Sequence, residues 1–333
     1  MKRFAAGFDI GGTKCAAVLA EMPETDGALP RLIGKIRFAT AEFPRPEECL
    51  AQLCGGLRNL SEEHRIPLPE IGGIGISCGG PLDPEKGVIQ SPPNLPGWDD
   101  VPAVRIVREA TGLPVVLDND ANACALAEWK YGAGRGSSHM IFLTFGTGMG
   151  AGLVFGGRLI RGACGLAGEC GHIRLAGQGP EGYGKKGSFE GFCSGGGIAR
   201  LAAARAEEAL ARGAGPVWCP DRESLAGLNA KIVAEAAFAG DPDALAIYAE
   251  CGRRLGQALS ILIDLLNPDR IVIGSIFARS ESLLRPAMEE VIGQETLPQT
   301  RAACRIVPAR LGESVGDVAA LALADGADRQ ALS

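Results

Sequence analysis

Aromatic residues make up only 5% of this 333-residue chain, and histidine occurs three times, at His64, His139 and His172. The eleven cysteines are scattered singly, without a CxxC pair and in an odd total, so reduced, mostly buried thiols are expected rather than a disulfide framework. No apolar run approaches the roughly 18 residues of a membrane span; the strongest stretch, ALSILIDLL, is cut by Asp264. The opening MKRFAAGFDIGG has basic residues but reaches Asp9 and two glycines before an export-type apolar segment forms. These absences predict a cytoplasmic protein with no membrane partner. Positive charge is in the minority too: the net charge of −6 excludes a broad nucleic-acid surface. An anionic substrate therefore needs local cations or a metal. What is abundant is glycine, 48 residues, which with so few aromatics suits many tight turns around a small ligand.

The length suits two lobes. FAAGFDIGGTKCAAVLAE reads as strand, glycine turn, strand, and MIFLTFG–TGMG–AGLVFGGRLI repeats that syntax near the middle of the chain. The recurrence is an internal duplication of a whole lobe. Between the copies, the helical pattern PEECLAQLCGGLRNLSEEH precedes the apolar strand EIGGIGISCGG, and VPAVRIVREATG precedes LPVVLDND. Helices alternating with strands predict an α/β sheet covered on both faces. After residue 190 helices dominate, interrupted by the strand DRIVIGS, and ALALAD falls in a last helix. Residues 176–188 form the most loop-like internal stretch. The predicted division is 1–118, completed by a C-terminal helix at 315–330, and 119–314.

Asp9-Ile10-Gly11-Gly12-Thr13 places an acid at a strand's end and glycines after it. Without a Cβ the backbone N–H groups can approach a phosphate, and a carboxylate oxygen suits Mg²⁺. A plain hairpin turn explains that segment equally well. The second loop, Thr144-Phe145-Gly146-Thr147-Gly148-Met149-Gly150, has glycines at alternate positions with two hydroxyls, a poor hairpin and a better anion cradle. Asp118-Asn119-Asp120-Ala121-Asn122 closes the VVL strand; an acid there can act as general base on an alcohol while an amide binds the neighbouring hydroxyl. Asp118 and Asn122 are read as solvated or capping groups and Asp120 as the catalytic one, from its place at a strand's carboxyl end. Glu169 and His172, three residues apart, can bind vicinal hydroxyls. Gly182-Tyr183-Gly184-Lys185-Lys186-Gly187 matches GxGxxG, but no strand precedes it, which rejects a dinucleotide site. Cys164, Cys170, His172 and Cys193 fit no common zinc spacing.

Taken together, these motifs resemble the ROK family of sugar kinases and sugar-responsive repressors, from Asp9 nearly to the C-terminus. Asp9–Thr13 resembles the first phosphate motif and Thr144–Gly150 the second. Asn119-Asp120 resembles the sugar-binding amide and catalytic base, and Glu169-x-Gly-His172 the sugar-contacting signature. Ser194-Gly195 and Ile271 to Ser275 fall at the family's adenosine contacts. The resemblance implies a duplicated actin-like (ribonuclease H-like) ATPase fold of the α/β class, two lobes around a central cleft. Where the family has CxCGxxGCxE, this chain has Glu181-Gly-Tyr183-Gly-Lys-Lys-Gly-Ser188-Phe-Glu190, so no structural zinc is expected, although Glu190 survives as a sugar ligand. Gly274-Ser275-Ile276 stands where many members have a glycine triplet. The family's repressors carry a winged helix-turn-helix before the first phosphate motif, and the lack of room for one ahead of Asp9 favours a kinase.

The implied reaction is transfer of a phosphoryl group from ATP to a hydroxyl, the 6-position, of a hexose or N-acetyl-hexosamine. Asp120 is then the base and Asp9 the Mg²⁺ ligand. Gly11, Gly12, Thr13, Thr144, Gly146, Thr147 and Gly148 would hold phosphates, and Ser194, Gly195, Gly274 and Ser275 the rest of the nucleotide. Asn94, Asn119, Glu169, His172 and Glu190 would hold the sugar. The expected partners are the sugar and ATP, with a homodimer as the assembly that the resemblance implies. The rival expectation is a catalytically weak, sugar-sensing relative.

Overall fold

The computed structural model describes residues 3–25 and 27–330. Strands β1 (Phe4–Ile10), β2 (Lys14–Glu21) and β3 (Arg31–Ala39) lead into helix α1 (Pro46–Glu63) and strand β4 (Ile71–Cys78). The two-residue strands β5 (Leu82–Asp83) and β6 (Val88–Ile89) precede α2 (Ala103–Thr111), β7 (Val115–Asn119) and α3 (Asp120–Tyr131). Then come β8 (His139–Leu143), β9 (Ala151–Phe155) and β10 (Arg158–Ile160), followed by β11 (Glu181–Gly182), β12 (Lys185–Lys186) and the short α4 (Phe189–Phe192). The rest is α5 (Gly195–Ala211), α6 (Ala230–Phe238), α7 (Pro242–Leu266), β13 (Arg270–Ile273), α8 (Ile276–Glu295), α9 (Pro298–Ala303), β14 (Arg305–Pro308) and α10 (Val315–Gln330).

Contacts divide the chain into two compact units, one of 1–136, 152–167 and 310–333, the other of 137–151 and 168–309. The first holds a five-stranded sheet ordered β3-β2-β1-β4-β7. β1 pairs antiparallel with β2 and parallel with β4, which is parallel to β7. Every residue of β4 is buried, as a strand covered on both faces requires. On one face α1 contributes Cys49, Leu50, Leu53, Leu57 and Leu60 to the core, an i, i+3, i+4 stripe. On the other lies α10, admitted by glycines: a Cβ on Gly75 would stand 2.0 Å from Ala320 O, and one on Gly7 2.7 Å from Ala320 Cβ.

In the second unit β8, β13 and β14 run parallel, and α7, α8, α6 and α5 pack in succession. Helix α7 starts where its sequence dictates: Asp241 Oδ1 accepts the Ala244 N–H at 2.9 Å and Pro242 fills the first turn. It stops at Asn267, in the left-handed region at φ 46°. Each unit thus has a leading strand ending in a glycine turn (β1 and β8) with two later strands parallel to it. That is the duplicated α/β plan of the actin-like ATPase fold. The stretch 176–188 is not all loop: β11 and β12 form a hairpin whose turn residues Tyr183 and Gly184 have φ 45° and 71°, the backbone that a two-residue hairpin turn needs.

Candidate active site

Strand register gathers the first unit's polar residues. Asp9 pairs with Ser77, and Ser77 with Asp118, so three neighbouring parallel strands end together, where α/β sheets bind ligands. The turn after β1 is closed by Gly11 N–H to Lys14 O at 3.1 Å, and Thr40 Oγ1 donates to Gly11 O at 2.6 Å. Thr40 gave no signal in the sequence. Gly12 and Thr13 are exposed, and their N–H groups take no protein partner among the described residues. Asn94 packs on this turn: a Cβ on Gly12 would stand 2.4 Å from Asn94 O. The amide of Asn94 lies 3.5 Å from where a Gly79 Cβ would sit.

Asp9 is half-buried, and its pKa is raised, first by burial and then by the charge of Asp317, with Lys14 pulling the other way and Asp120 adding to the rise. Asp317, in the first turn of α10, is held by Lys35 Nζ at 2.7 Å from both its oxygens. Among the described residues no group of three or more histidine, cysteine or acidic side chains is arranged to hold a metal. Magnesium asks for less, one or two carboxylates, with phosphate oxygens and water filling the remaining positions. Asp9 fits that need, since a cation beside it would favour the charged form that burial and Asp317 disfavour.

Asn119 and Asp120 span the junction of β7 and α3. Asn119 is the N-cap, its Oδ1 accepting the Asn122 N–H at 2.7 Å. That bond fixes the amide so that its NH₂ group is left to donate. Asp120 Oδ1 accepts the Ala121 N–H at 2.8 Å. Asp120 is exposed as a residue, but its carboxyl is crowded by protein, and that desolvation raises its pKa. Asp118 and Asn122 depart from the sequence expectation. Both are 0% exposed, so neither is solvated, and Asn119 rather than either of them is the cap. Asp118 Oδ1 accepts from Asn119 N–H (2.9 Å) and Asn122 Nδ2 (2.8 Å), while Oδ2 meets Arg161. A one-sequence reading favours exposure for an Asp beside an Asn because the paying partner, Arg161, is remote in sequence.

The second unit gathers the remaining candidates. Thr144–Gly150 follows β8, and Gly274 N–H donates to Leu143 O at 2.9 Å, setting Gly274-Ser275 beside the loop. The loop is tied by Thr144 N–H to Gly150 O (3.0 Å), Gly150 N–H to Thr144 Oγ1 (2.9 Å) and Gly195 N–H to Gly146 O (2.8 Å). The N–H groups of Thr147 and Gly148 have no protein partner among the described residues, which leaves donors for an anion. Glu190 Oε2 accepts the Met149 N–H at 3.0 Å, so this acid is bound to the loop itself. Ser194 caps α5, its Oγ accepting Gly197 N–H at 2.9 Å with 1% exposure. Ser275 sits at φ 49°, ψ −108°, a conformation that glycine adopts at lower cost.

Glu169 and His172 are exposed and flank a single helical turn, His172 N–H donating to Glu169 O. Gly171 between them packs on the loop: a Cβ there would stand 2.1 Å from Met149 O and 3.4 Å from Glu190 Cβ. Lys185 Nζ donates to His172 O at 2.7 Å, and the Tyr183 ring meets the imidazole edge-on at 6.3 Å.

Comparison with known proteins agrees with this plan. A family model described as the ROK family matches residues 5–327. A glucokinase of Streptomyces coelicolor is 32% identical over 327 residues, covering 96% of each chain. The crystal structure of a ROK family glucokinase from Streptomyces griseus, in complex with glucose and AMPPNP, is 31% identical, with a TM-score of 0.73 over 98% of this chain and 99% of that one. A ROK family transcriptional regulator is 26% identical, with a TM-score of 0.82 over 99% of this chain and 81% of its own. With residues 5–327 matched by the family model and its fold shared at this identity, the chain belongs to the ROK family.

Proposed function

We propose that this protein is an ATP-dependent sugar kinase that phosphorylates the 6-hydroxyl of a hexose or N-acetyl-hexosamine, with Asp120 as general base. The observation that carries the reading is an exposed aspartate of raised pKa at the β7–α3 junction, next to an amide whose NH₂ group has no partner among the described residues. Asp120 takes the proton of the sugar hydroxyl as that oxygen bonds to the γ-phosphorus and the bridging oxygen leaves with ADP. A raised pKa brings the base closer to neutral pH, where proton transfer is most effective. Asn119 donates to the adjacent sugar hydroxyl, and Asn94, Glu169, His172 and Glu190 provide the other sugar contacts. The unpartnered N–H groups of Gly12, Thr13, Thr147 and Gly148 bind phosphate oxygens. Asp9 would hold Mg²⁺, which when bound neutralises charge on the phosphates.

The test is a coupled ADP-release assay over glucose, fructose, N-acetylglucosamine and N-acetylmannosamine. One sugar should stimulate turnover, and Asp120→Asn should lower kcat by about 10²–10⁴-fold, the usual worth of a positioned base, with sugar binding retained. Near-normal turnover in that variant removes Asp120 from the role. The likeness to a transcriptional regulator supports a second reading, a sugar sensor of weak turnover. Sugar binding without sugar-stimulated ADP release in the same assay would select it.

A further inference from the structure

The Asp118 carboxylate is 0% exposed and makes three hydrogen bonds and an ion pair, all directed to the catalytic junction or to one arginine. Oδ1 holds the Asn119 backbone N–H at 2.9 Å and Asn122 Nδ2 at 2.8 Å. Oδ2 accepts from Arg161 Nε at 2.8 Å and lies 2.7 Å from Nη2, so both guanidinium nitrogens converge on one oxygen in a charge-assisted pair. Arg161 directly follows β10 and keeps 31% of its side chain exposed, with Ala167 N–H returning to its carbonyl at 3.0 Å. Residues 152–167 group with the first unit, so the guanidinium comes to the β7 terminus from a distant stretch of the same unit.

A buried ion pair is weak evidence of stability, because desolvation of both charges offsets their attraction. This pair has a geometric consequence instead. Asp118 Oδ1 fixes the orientation of the peptide entering Asn119. It also receives the Nδ2 of Asn122, whose own N–H is capped by Asn119. The three residues therefore close a ring through side-chain acceptors and two backbone N–H donors, and Asp120 directly follows its Asn119 member. Flipping the Asn122 amide would set its oxygen against the Asp118 carboxylate, so the ring has one orientation only. Asn122 Oδ1 stays buried without a partner among the described residues, a cost that the ring tolerates and that solvation or simple capping would not incur.

We propose that Asp118 and Arg161 are positioning residues for the phosphoryl transfer: the Arg161-locked carboxylate sets the direction in which Asn119 presents its NH₂ group and Asp120 its base. This rests on the kinase reading. Neither residue touches the reacting atoms; their effect passes through the backbone of residues 119 and 120. Misplacement of a reacting group by about 1 Å can cost about 10²-fold in rate.

The experiment compares Arg161→Met, Arg161→Lys, Asp118→Asn and the Asp118→Asn/Arg161→Met double variant with wild type and Asp120→Asn. The substrate is the sugar that turns over fastest in the four-sugar panel. Arg161→Met is expected to lower kcat about 10–100-fold while the KM for ATP stays within about threefold, because among the described residues no hydrogen bond or ion pair joins the pair to the Gly11–Thr13 turn. Arg161→Lys keeps the charge but loses the fork and should recover part of kcat. The double variant should be hardly slower than the worse single one, as for residues acting as a unit. Wild-type kcat in folded Arg161→Met, or in Arg161→Lys should Arg161→Met fail to fold, overturns the proposal, as does multiplicative loss in the double variant. An inactive Asp120→Asn alongside an unaffected Arg161→Met sinks the positioning claim alone, whereas an active Asp120→Asn sinks the base assignment.

Discussion

Glu128 carries a prediction whose size follows from its surroundings. Its side chain is 0% exposed and lies on α3, two turns beyond Asp120. Oε1 accepts Arg310 N–H at 2.9 Å and Leu311 N–H at 2.8 Å, and Oε2 accepts Ala133 N–H at 2.7 Å. One carboxylate thus ties α3 to its own exit and to the segment leading into α10. In Glu128→Gln the amide oxygen best keeps the Oε1 place, since the reverse orientation would face two donors with NH₂ instead of one. Two bonds then lose their charge assistance, about 1 kcal/mol each, and Ala133 N–H is left facing a donor, about 1–3 kcal/mol. Part of this returns because a buried charge is removed, leaving about 3 kcal/mol of destabilisation. Urea unfolding should register it, together with faster amide exchange at Ala133, Arg310 and Leu311 and unchanged exchange in β4. A loss under about 1 kcal/mol with those three amides still protected would refute this account of Glu128.

Two further outcomes are expected. Folding raises the pKa of Asp9, by burial first and then by Asp317, so the stability this group contributes is full below its unfolded value and is lost as pH rises through the folded one. Without nucleotide or divalent cation, Asp9→Asn should therefore melt above wild type at neutral pH and match it at pH below the ordinary carboxylate range; calorimetry showing a lower Tm at neutral pH would contradict this. A Cβ on Gly12 would press on the Asn94 carbonyl at 2.4 Å, backbone that can yield only by moving the 92–95 turn. Gly12→Ala should cost about 1–3 kcal/mol as overpacking does and weaken binding of an ATP analogue. Unchanged stability and affinity, by melting and fluorescence titration, would show that the turn gives freely.

The sequence by itself determined the plan of this protein. The repeated strand–glycine–strand syntax marked the duplication, apolar periodicity marked α1, β4, α2, β7 and α7, and the acids and glycines marked the ends of β1 and β8. These signals are local, set by backbone geometry and by which face of an element is apolar. The tertiary structure alone decided the state of each polar group. Asp118 and Asn122 look like surface residues until Arg161, more than forty positions on, supplies the charge that lets one of them be buried. Glu190 is legible as an acid near the second loop, but its bond to Met149 N–H is not. Glu128, Thr40 and the Lys35–Asp317 pair leave no trace in any short window, because the partners that satisfy them are brought near only when β3, α3 and α10 pack. Burying a charge or an amide costs free energy that only such remote partners offset, and a single sequence does not say where they will be.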